Sequence, residues 1–253
     1  MASRWPFLDH PGPLAFAHRG GASDAPENTL PAFARAVELG YRYVETDVHV
    51  TADGVLLAFH DDVLDLVTDR TGVVADLPWA EVGAARVDGV EPIPRLEDLL
   101  GTWPELRVNI DPKHDAAVDV LADTIERTGA IDRVCVGSFS DRRLRHLRRR
   151  LGERLCWSPG PKGVARARAG SVGMPSGTIA APCLQVPVRQ GRVTIVDRRF
   201  VDHAHRQGAQ VHVWTIDDPV EMARLLDLGV DGLMTDRPAV LRQVLEQRGE
   251  WAS

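Results

Sequence analysis

Ionisable residues in this 253-residue chain collect at the ends of short apolar runs. Leu14-Ala15-Phe16-Ala17 leads into His18-Arg19-Gly20-Gly21, and Tyr43-Val44 leads into Glu45-Thr46-Asp47. Leu56-Leu57-Ala58-Phe59 leads into His60-Asp61-Asp62, while Val108 and Ile110 frame Asn109 and Asp111, with Lys113 beyond. Side chains alternate along an extended strand, so Glu45 and Asp47 share one face. Asn109, Asp111 and Lys113 share a face in the same way, provided Pro112 keeps the chain extended. Two carboxylates aimed together repel each other and lose hydration unless a cation joins them. One divalent cation, Mg2+ or Ca2+, suits such oxygen donors, and Asp111 can add a third carboxylate. Lys113 supplies positive charge for a phosphate, and Arg19 can grip two of its non-bridging oxygens. A histidine side chain titrates near neutrality, so of His18 and His60 one can take a proton while the other gives one. Together these groups are what cleavage of a phosphodiester requires. The blander reading makes Glu45 and Asp47 a solvent-facing or arginine-paired strand, and Asp111 to Lys113 a plain turn. His49 should face away from Asp47. His10, His114, His146, His203, His205 and His212 lack such surroundings and read as structural or surface residues.

These residues meet only if the scaffold gathers them. Strand-like runs at 14–17, 43–48, 106–110, 134–136, 154–157, 184–188, 211–214 and 233–235 alternate with helix-period segments. The helical segments fall at 29–39, 116–127, 141–151, 200–206, 219–228 and 239–247, several closed by glycine. Such alternation implies a parallel sheet with helices outside, either a barrel or an open doubly wound sheet. No GxGxxG opens the first helix, which weakens a dinucleotide-binding sheet. In a barrel, the carboxyl ends of all strands meet at one face, so the residues named above converge. The run 55–59 follows the turn signal Ala52-Asp53-Gly54 and makes a ninth strand, one too many; it is either a hairpin partner or a stave. Residues 61–97 form a loop-rich insertion in which only 78–85 is helix-like, and loops of that length are usually functional excursions. Residues 159–177 read as a helix followed by a loop. No composition shift marks a second domain, so residues 1–253 are expected to form a single barrel domain.

The motifs taken together resemble those of the glycerophosphodiester phosphodiesterase family. They are His18-Arg19-Gly20-Gly21, Pro26-Glu27-Asn28-Thr29, Glu45-Thr46-Asp47-Val48 and His60-Asp61. Later come Val213-Trp214-Thr215 and the stretch from Gly229 to Pro238. The resemblance implies a TIM-type (β/α)8 barrel, a divalent cation, and hydrolysis of a glycerophosphodiester to an alcohol and sn-glycerol 3-phosphate. It implies Glu45, Asp47 and Asp111 as metal ligands, His18 and His60 as the acid–base pair, and Arg19 and Lys113 as phosphate contacts. Glu27 would lie at the rim as a ligand or supporting group, and Trp214 near the glycerol. The chain departs from the family in having Asp111 where a glutamate is usual, Pro112 after it, and Asp217 in place of an asparagine. The same site could instead serve lysophospholipids or other phosphodiesters. It could also be a phosphate-ligand binder without catalysis.

Composition limits the alternatives. Hydrophobic residues make up 44% and charged residues 26%, ordinary for a globular enzyme with a large core. A net charge of −6 is a poor basis for nucleic-acid binding. Arg142, Arg143, Arg145, Arg148, Arg149 and Arg150 read as a solvated helix face. The three cysteines, Cys135, Cys156 and Cys183, are far apart and show no CxxC spacing. That pattern reads against a disulfide framework or a zinc site and fits a reducing cytoplasm. Neither a signal peptide nor an apolar run of about 18 residues is evident, so a soluble cytoplasmic protein is expected. The sequence carries no sign of oligomeric state.

Overall fold

The computed structural model describes residues 4–23 and 25–252. Eight parallel strands, β1 (Leu14–His18), β2 (Tyr43–Val50), β3 (Arg107–Pro112), β4 (Val134–Val136), β5 (Cys156–Trp157), β6 (Cys183–Pro187), β7 (Gln210–Trp214) and β8 (Gly232–Thr235), pair in the order β5-β4-β3-β2-β1-β8-β7-β6. After each strand comes a helix: α1 (Leu30–Glu38), α2 (Leu96–Thr102), α3 (Ala117–Arg127), α4 (Asp141–Leu151), α5 (Pro161–Ser171), α6 (Arg198–Arg206), α7 (Pro219–Asp227) and α8 (Pro238–Arg248). The result is the expected (β/α)8 barrel, nearly closed. At the seam between β5 and β6, the Gln185 backbone N–H donates to Ser158 Oγ at 2.9 Å.

Alternation along the strands divides the core into two layers. Outward residues such as Val44, Ile110, Val136, Val186 and Val213 pack with Phe33, Leu121, Leu147, Phe200 and Leu225 of the helices. Inward residues, among them Phe16, Tyr43, Cys135, Cys183 and Met234, form a second cluster with Phe7 and Leu8. Those last two come from the turn Pro6–Leu8, which plugs the amino-terminal end; Tyr43 Oη donates to the Phe7 carbonyl at 2.9 Å.

The ninth strand-like run is the hairpin partner. Leu56–Ala58 pairs antiparallel with β2, Val48 opposite Ala58, and lies outside the barrel path. Residues 61–97 hold more structure than the sequence reading predicts. They include the turns Leu64–Leu66 and Val74–Asp76, the helix Trp79–Val82, a ribbon of Arg86–Val87 with Glu91–Pro92, and the start of α2. Leu57, Phe59, Leu64, Val74, Val87 and Ile93 give the excursion its own small core. Each piece is too short to display a period, which is why the composition reads as loop. The arginines of α4 do face outward. Arg142 and Arg143 pair with Asp115, and Arg150 with Asp123 and Glu126 of α3. No helix among the described residues is long and apolar enough to cross a membrane.

The turn after β1 is under backbone constraint. Arg19, Gly20 and Gly21 all have positive φ, at 51°, 85° and 98°. A Cβ on Gly20 would lie 2.8 Å from Ala32 Cβ and 3.0 Å from the Ala32 carbonyl carbon, at the start of α1. Gly20→Ala therefore combines a left-handed backbone with a clash against a helix backbone. It should cost about 1–3 kcal/mol and lower Tm by roughly 2–10 °C, measured by thermal unfolding.

Candidate active site

Strand register brings the predicted residues to one rim. His18 lies opposite Glu45, Glu45 opposite Asn109, and Asp47 opposite Asp111. Pro112 does keep β3 extended, so Lys113 follows at the rim, its N–H donating to the Val48 carbonyl at 3.1 Å. His60 arrives by the hairpin, where the Phe59 N–H donates to the Asp47 carbonyl at 2.9 Å. A pocket of about 500 Å³ is lined by His18, Arg19, Glu45, Asp47, His60, Asp111, Lys113 and Trp214. Glu27 stands behind it, receiving Arg19 Nη1 on both carboxylate oxygens at 3.0 Å. His49 turns away, as expected, with Nε2 2.9 Å from the His60 carbonyl.

Charge at the rim is dense and largely buried. Lys113 Nζ sits 2.7 Å from Asp47 Oδ1 and 3.1 Å from Asp111 Oδ2. Arg19 Nε is 3.2 Å from Asp47 Oδ2, but outside hydrogen-bonding geometry, so both atoms are buried without a hydrogen-bond partner. Burial, and then the neighbouring Asp47 charge, push the Glu45 carboxyl up to about 8. Burial likewise raises Asp111 despite the opposing pull of Lys113. Burial pulls the His18 imidazole down, yet Glu45 and Asp236 carry it above its ordinary value.

Each pocket histidine has a carboxylate on Nδ1. His18 Nδ1 is 2.7 Å from Asp236 Oδ1, and His60 Nδ1 is 2.7 Å from Asp61 Oδ1. Such contacts hold the ring orientation and leave Nε2 for other work. Asp236 is itself held, since its N–H donates to Asp217 Oδ1 at 2.8 Å, as does the Thr235 hydroxyl. Both contacts need only an acceptor oxygen, which explains why Asp217 can stand where an asparagine is expected. Sequence reasoning named no role for Asp61, Asp236 or Asn28. Asn28 is 1% exposed with φ 56°, its N–H donating to the Arg19 carbonyl and its Oδ1 accepting from Thr46. A buried asparagine tolerates that left-handed backbone where most residues do not. Its place in the Pro26-Glu27-Asn28-Thr29 motif was the available signal.

The geometry admits a hard cation on a partial set of donors. Asp47 Oδ2 is a buried oxygen without a hydrogen-bond partner, and Glu45 beside it is destabilised as an anion, as expected of donors built around positive charge. The oxygens of Glu45, Asp47 and Asp111 are not, as a trio, within 4.8 Å of one another. Lys113 stands between Asp47 and Asp111, and the shorter Asp111 side chain is drawn onto the ammonium.

The model of the glycerophosphoryl diester phosphodiesterase family matches residues 18–240, which takes in this whole rim. The chain belongs to that family. Along 97% of its length it is 42% identical to a Mycobacterium tuberculosis (strain ATCC 25618 / H37Rv) protein named "Probable glycerophosphodiester phosphodiesterase 2", covering 95% of that protein. The fold is shared with solved structures at lower identity. One is the glycerophosphoryl diester phosphodiesterase domain of a second Mycobacterium tuberculosis protein (TM-score 0.78, 23% identity, 93% of this chain and 99% of that one). Another is an Oleispira antarctica phosphodiesterase in complex with the product sn-glycerol-3-phosphate (TM-score 0.78, 22% identity, 93% of this chain and 97% of that one). As a member of that family, the chain is an enzyme.

Glu45 makes the stability of the protein sensitive to pH. Its carboxyl ionises near 4.5 when unfolded and near 8 when folded, so the folded state binds the extra proton between those values. Stability from this group is therefore full below about pH 4.5 and is lost as pH rises through about 8. Urea unfolding of chelator-treated protein at stepped pH should show that decline, and Glu45→Gln should flatten it.

Proposed function

We propose that this protein hydrolyses glycerophosphodiesters to an alcohol and sn-glycerol 3-phosphate, with His18 and His60 as the acid–base pair. The observation that carries the reading is the placement of two carboxylate-oriented imidazoles in one pocket with an acidic floor and two cations. Glu45 and Asp47 would hold a divalent cation, Mg2+ or Ca2+, with Asp111, here paired with Lys113, as the third carboxylate. Such an ion would supply Lewis-acid polarisation of the phosphate and offset the repulsion between Glu45 and Asp47.

The chain's own groups do the rest. Arg19 and Lys113 hold the phosphate by charge-assisted hydrogen bonds. One imidazole takes a proton from the attacking oxygen, either water or the glycerol 2-hydroxyl. The other gives a proton to the departing alkoxide, and each ring is kept in orientation by Asp236 or Asp61. Glu27 keeps Arg19 directed into the pocket. Trp214 walls the glycerol side, with Phe139 edge-on to it at a ring separation of 5.7 Å.

A second reading has one observation in its favour. Val164, Ala165, Ile195 and Phe139 also line the pocket, an apolar flank that a lysophospholipid chain could follow. Release of glycerol 3-phosphate from glycerophosphocholine, compared with long-chain lysophosphatidylcholine, separates the two. Chelator should abolish turnover of either substrate, and Mg2+ or Ca2+ should restore it. His18→Ala and His60→Ala should each lower kcat by about 10²–10⁴-fold with unfolding midpoints retained. Near-normal turnover by folded His18→Ala protein would end the acid–base assignment.

A further inference from the structure

We propose that Cys135, Cys156, Cys183 and His212 form a binding site for one thiophilic metal ion of the Zn2+ class, inside the barrel beneath the catalytic pocket. Spacing along the chain reads against such a site, but the fold reverses that expectation. The four residues come from adjacent strands β4, β5, β6 and β7, and the three cysteines belong to the buried inner layer. Their sulfur atoms all lie within 4.8 Å of one another, and Cys135 Sγ is 3.8 Å from Cys183 Sγ. Tetrahedral zinc with Zn–S bonds of about 2.3 Å sets its sulfurs about 3.8 Å apart, so the cage needs little adjustment. Among the described residues, this is the one trio of potential metal donors gathered so closely.

His212 supplies the independent observation. Its ring is fully buried and lies tilted against Phe16, a member of the same inner cluster as the three cysteines, with ring centroids 5.3 Å apart. Nε2 lies 3.0 Å from Gln210 Oε1, an oxygen that can only accept, so Nε2 carries the proton. Nδ1 is then a bare lone pair, buried and without any hydrogen-bond partner. An imidazole whose other nitrogen donates to an oxygen is the arrangement expected of a metal ligand. Three small buried thiols are ordinary core packing by themselves. A soft ion accounts both for the gathering of the three thiols and for the unpartnered Nδ1 on the next strand. Gly232 makes room for the ring, since a Cβ there would sit 3.1 Å from His212 Cδ2.

The sulfur layer lies directly beneath the pocket floor. Gln185 lines the pocket, donates to Asn109 Oδ1 at 2.8 Å, and lies 3.8 Å from Cys135 Sγ. One amide pair thus separates the sulfur layer from the catalytic rim. Each thiol that ligates releases its proton to solvent. Sulfur and imidazole donors select thiophilic ions, while the carboxylate rim selects hard ones, so the two sites can fill independently.

Co2+ titration of reduced, chelator-treated protein, with Mg2+ in excess for the carboxylates, tests the site directly. The expected result is one equivalent of Co2+ showing thiolate-to-metal charge-transfer absorption and intense tetrahedral d–d bands, both bleached by Zn2+. Only the weak bands of oxygen-ligated Co2+ would overturn the proposal. Cys183→Ala should abolish the charge-transfer band, and the full band surviving there would also overturn it. His212→Phe should weaken Co2+ binding at least tenfold; unchanged affinity would remove His212 from the site. The chain has three cysteines, all in this cluster, so the wild-type spectrum decides even where a variant does not fold.

Discussion

The rim depends on how Asp47 is neutralised. It is 2% exposed, on the same strand face as Glu45, and opposite Asp111 on the next strand. Acidic groups crowded into a buried setting are costly unless cations stand beside them. Lys113 and Arg19 are those cations, and they approach Asp47 from opposite sides, out of β3 and out of the turn after β1. Stripping one partner from a buried pair costs about 3–5 kcal/mol, whereas exposed pairs contribute about 0–1 kcal/mol. The row of arginines on α4 and its partners on α3 is more conspicuous, yet it matters far less to stability than this small cluster.

That cluster explains why the backbone around it is constrained. Arg19 must leave β1 with positive φ to reach both Glu27 and Asp47, and Gly20 and Gly21 continue the same left-handed path. The Asn28 N–H ties down the Arg19 carbonyl, and its side chain accepts from Thr46, the residue between Glu45 and Asp47. Turn, helix start and acidic strand are therefore one unit. Strain kept in place by hydrogen bonds from three elements holds a guanidinium where an anion would arrive, which lowers the ordering required at binding.

Much of this is legible in the sequence, because the information is local. Alternation puts Glu45 with Asp47, and Asp111 with Lys113, and strand ends put histidines beside carboxylates. Helix ends are less so: Thr29, Asp197 and Asp218 accept backbone N–H groups in the first turns of α1, α6 and α7, and apolar periodicity alone starts α6 at 200 where Asp197 starts it at Arg198. What stays hidden is long-range. Asp236 meets His18 across 218 residues, and no period or spacing announces that pairing. The status of Leu56–Ala58 turned on whether its edge met β2 or another strand, a matter of tertiary pairing. The excursion at 61–97 has a core assembled from fragments of two to four residues, below the length at which hydrophobic periodicity can speak.

The cysteines show the same limit more sharply. CxxC spacing identifies metal sites built on a single turn, where donors must be close in sequence to be close in space. A barrel gathers donors by another rule. Inward positions on neighbouring strands at the same height are adjacent however long the intervening helices, so Cys135 pairs with Cys156 in register while 20 residues separate them. The rule that assembles His18, Glu45, Asp47 and Asp111 from β1, β2 and β3 also assembles the sulfur layer from β4, β5 and β6, one level deeper. Asn109 belongs to both levels: it lies beside Glu45 on one strand neighbour and beside Cys135 on the other. Its amide, bonded to Gln185, places neutral groups between anionic oxygens above and sulfurs below. Burial already pushes the Cys135 and Cys156 thiols up, and a neutral amide layer keeps the anionic rim from adding to the cost of ionising them.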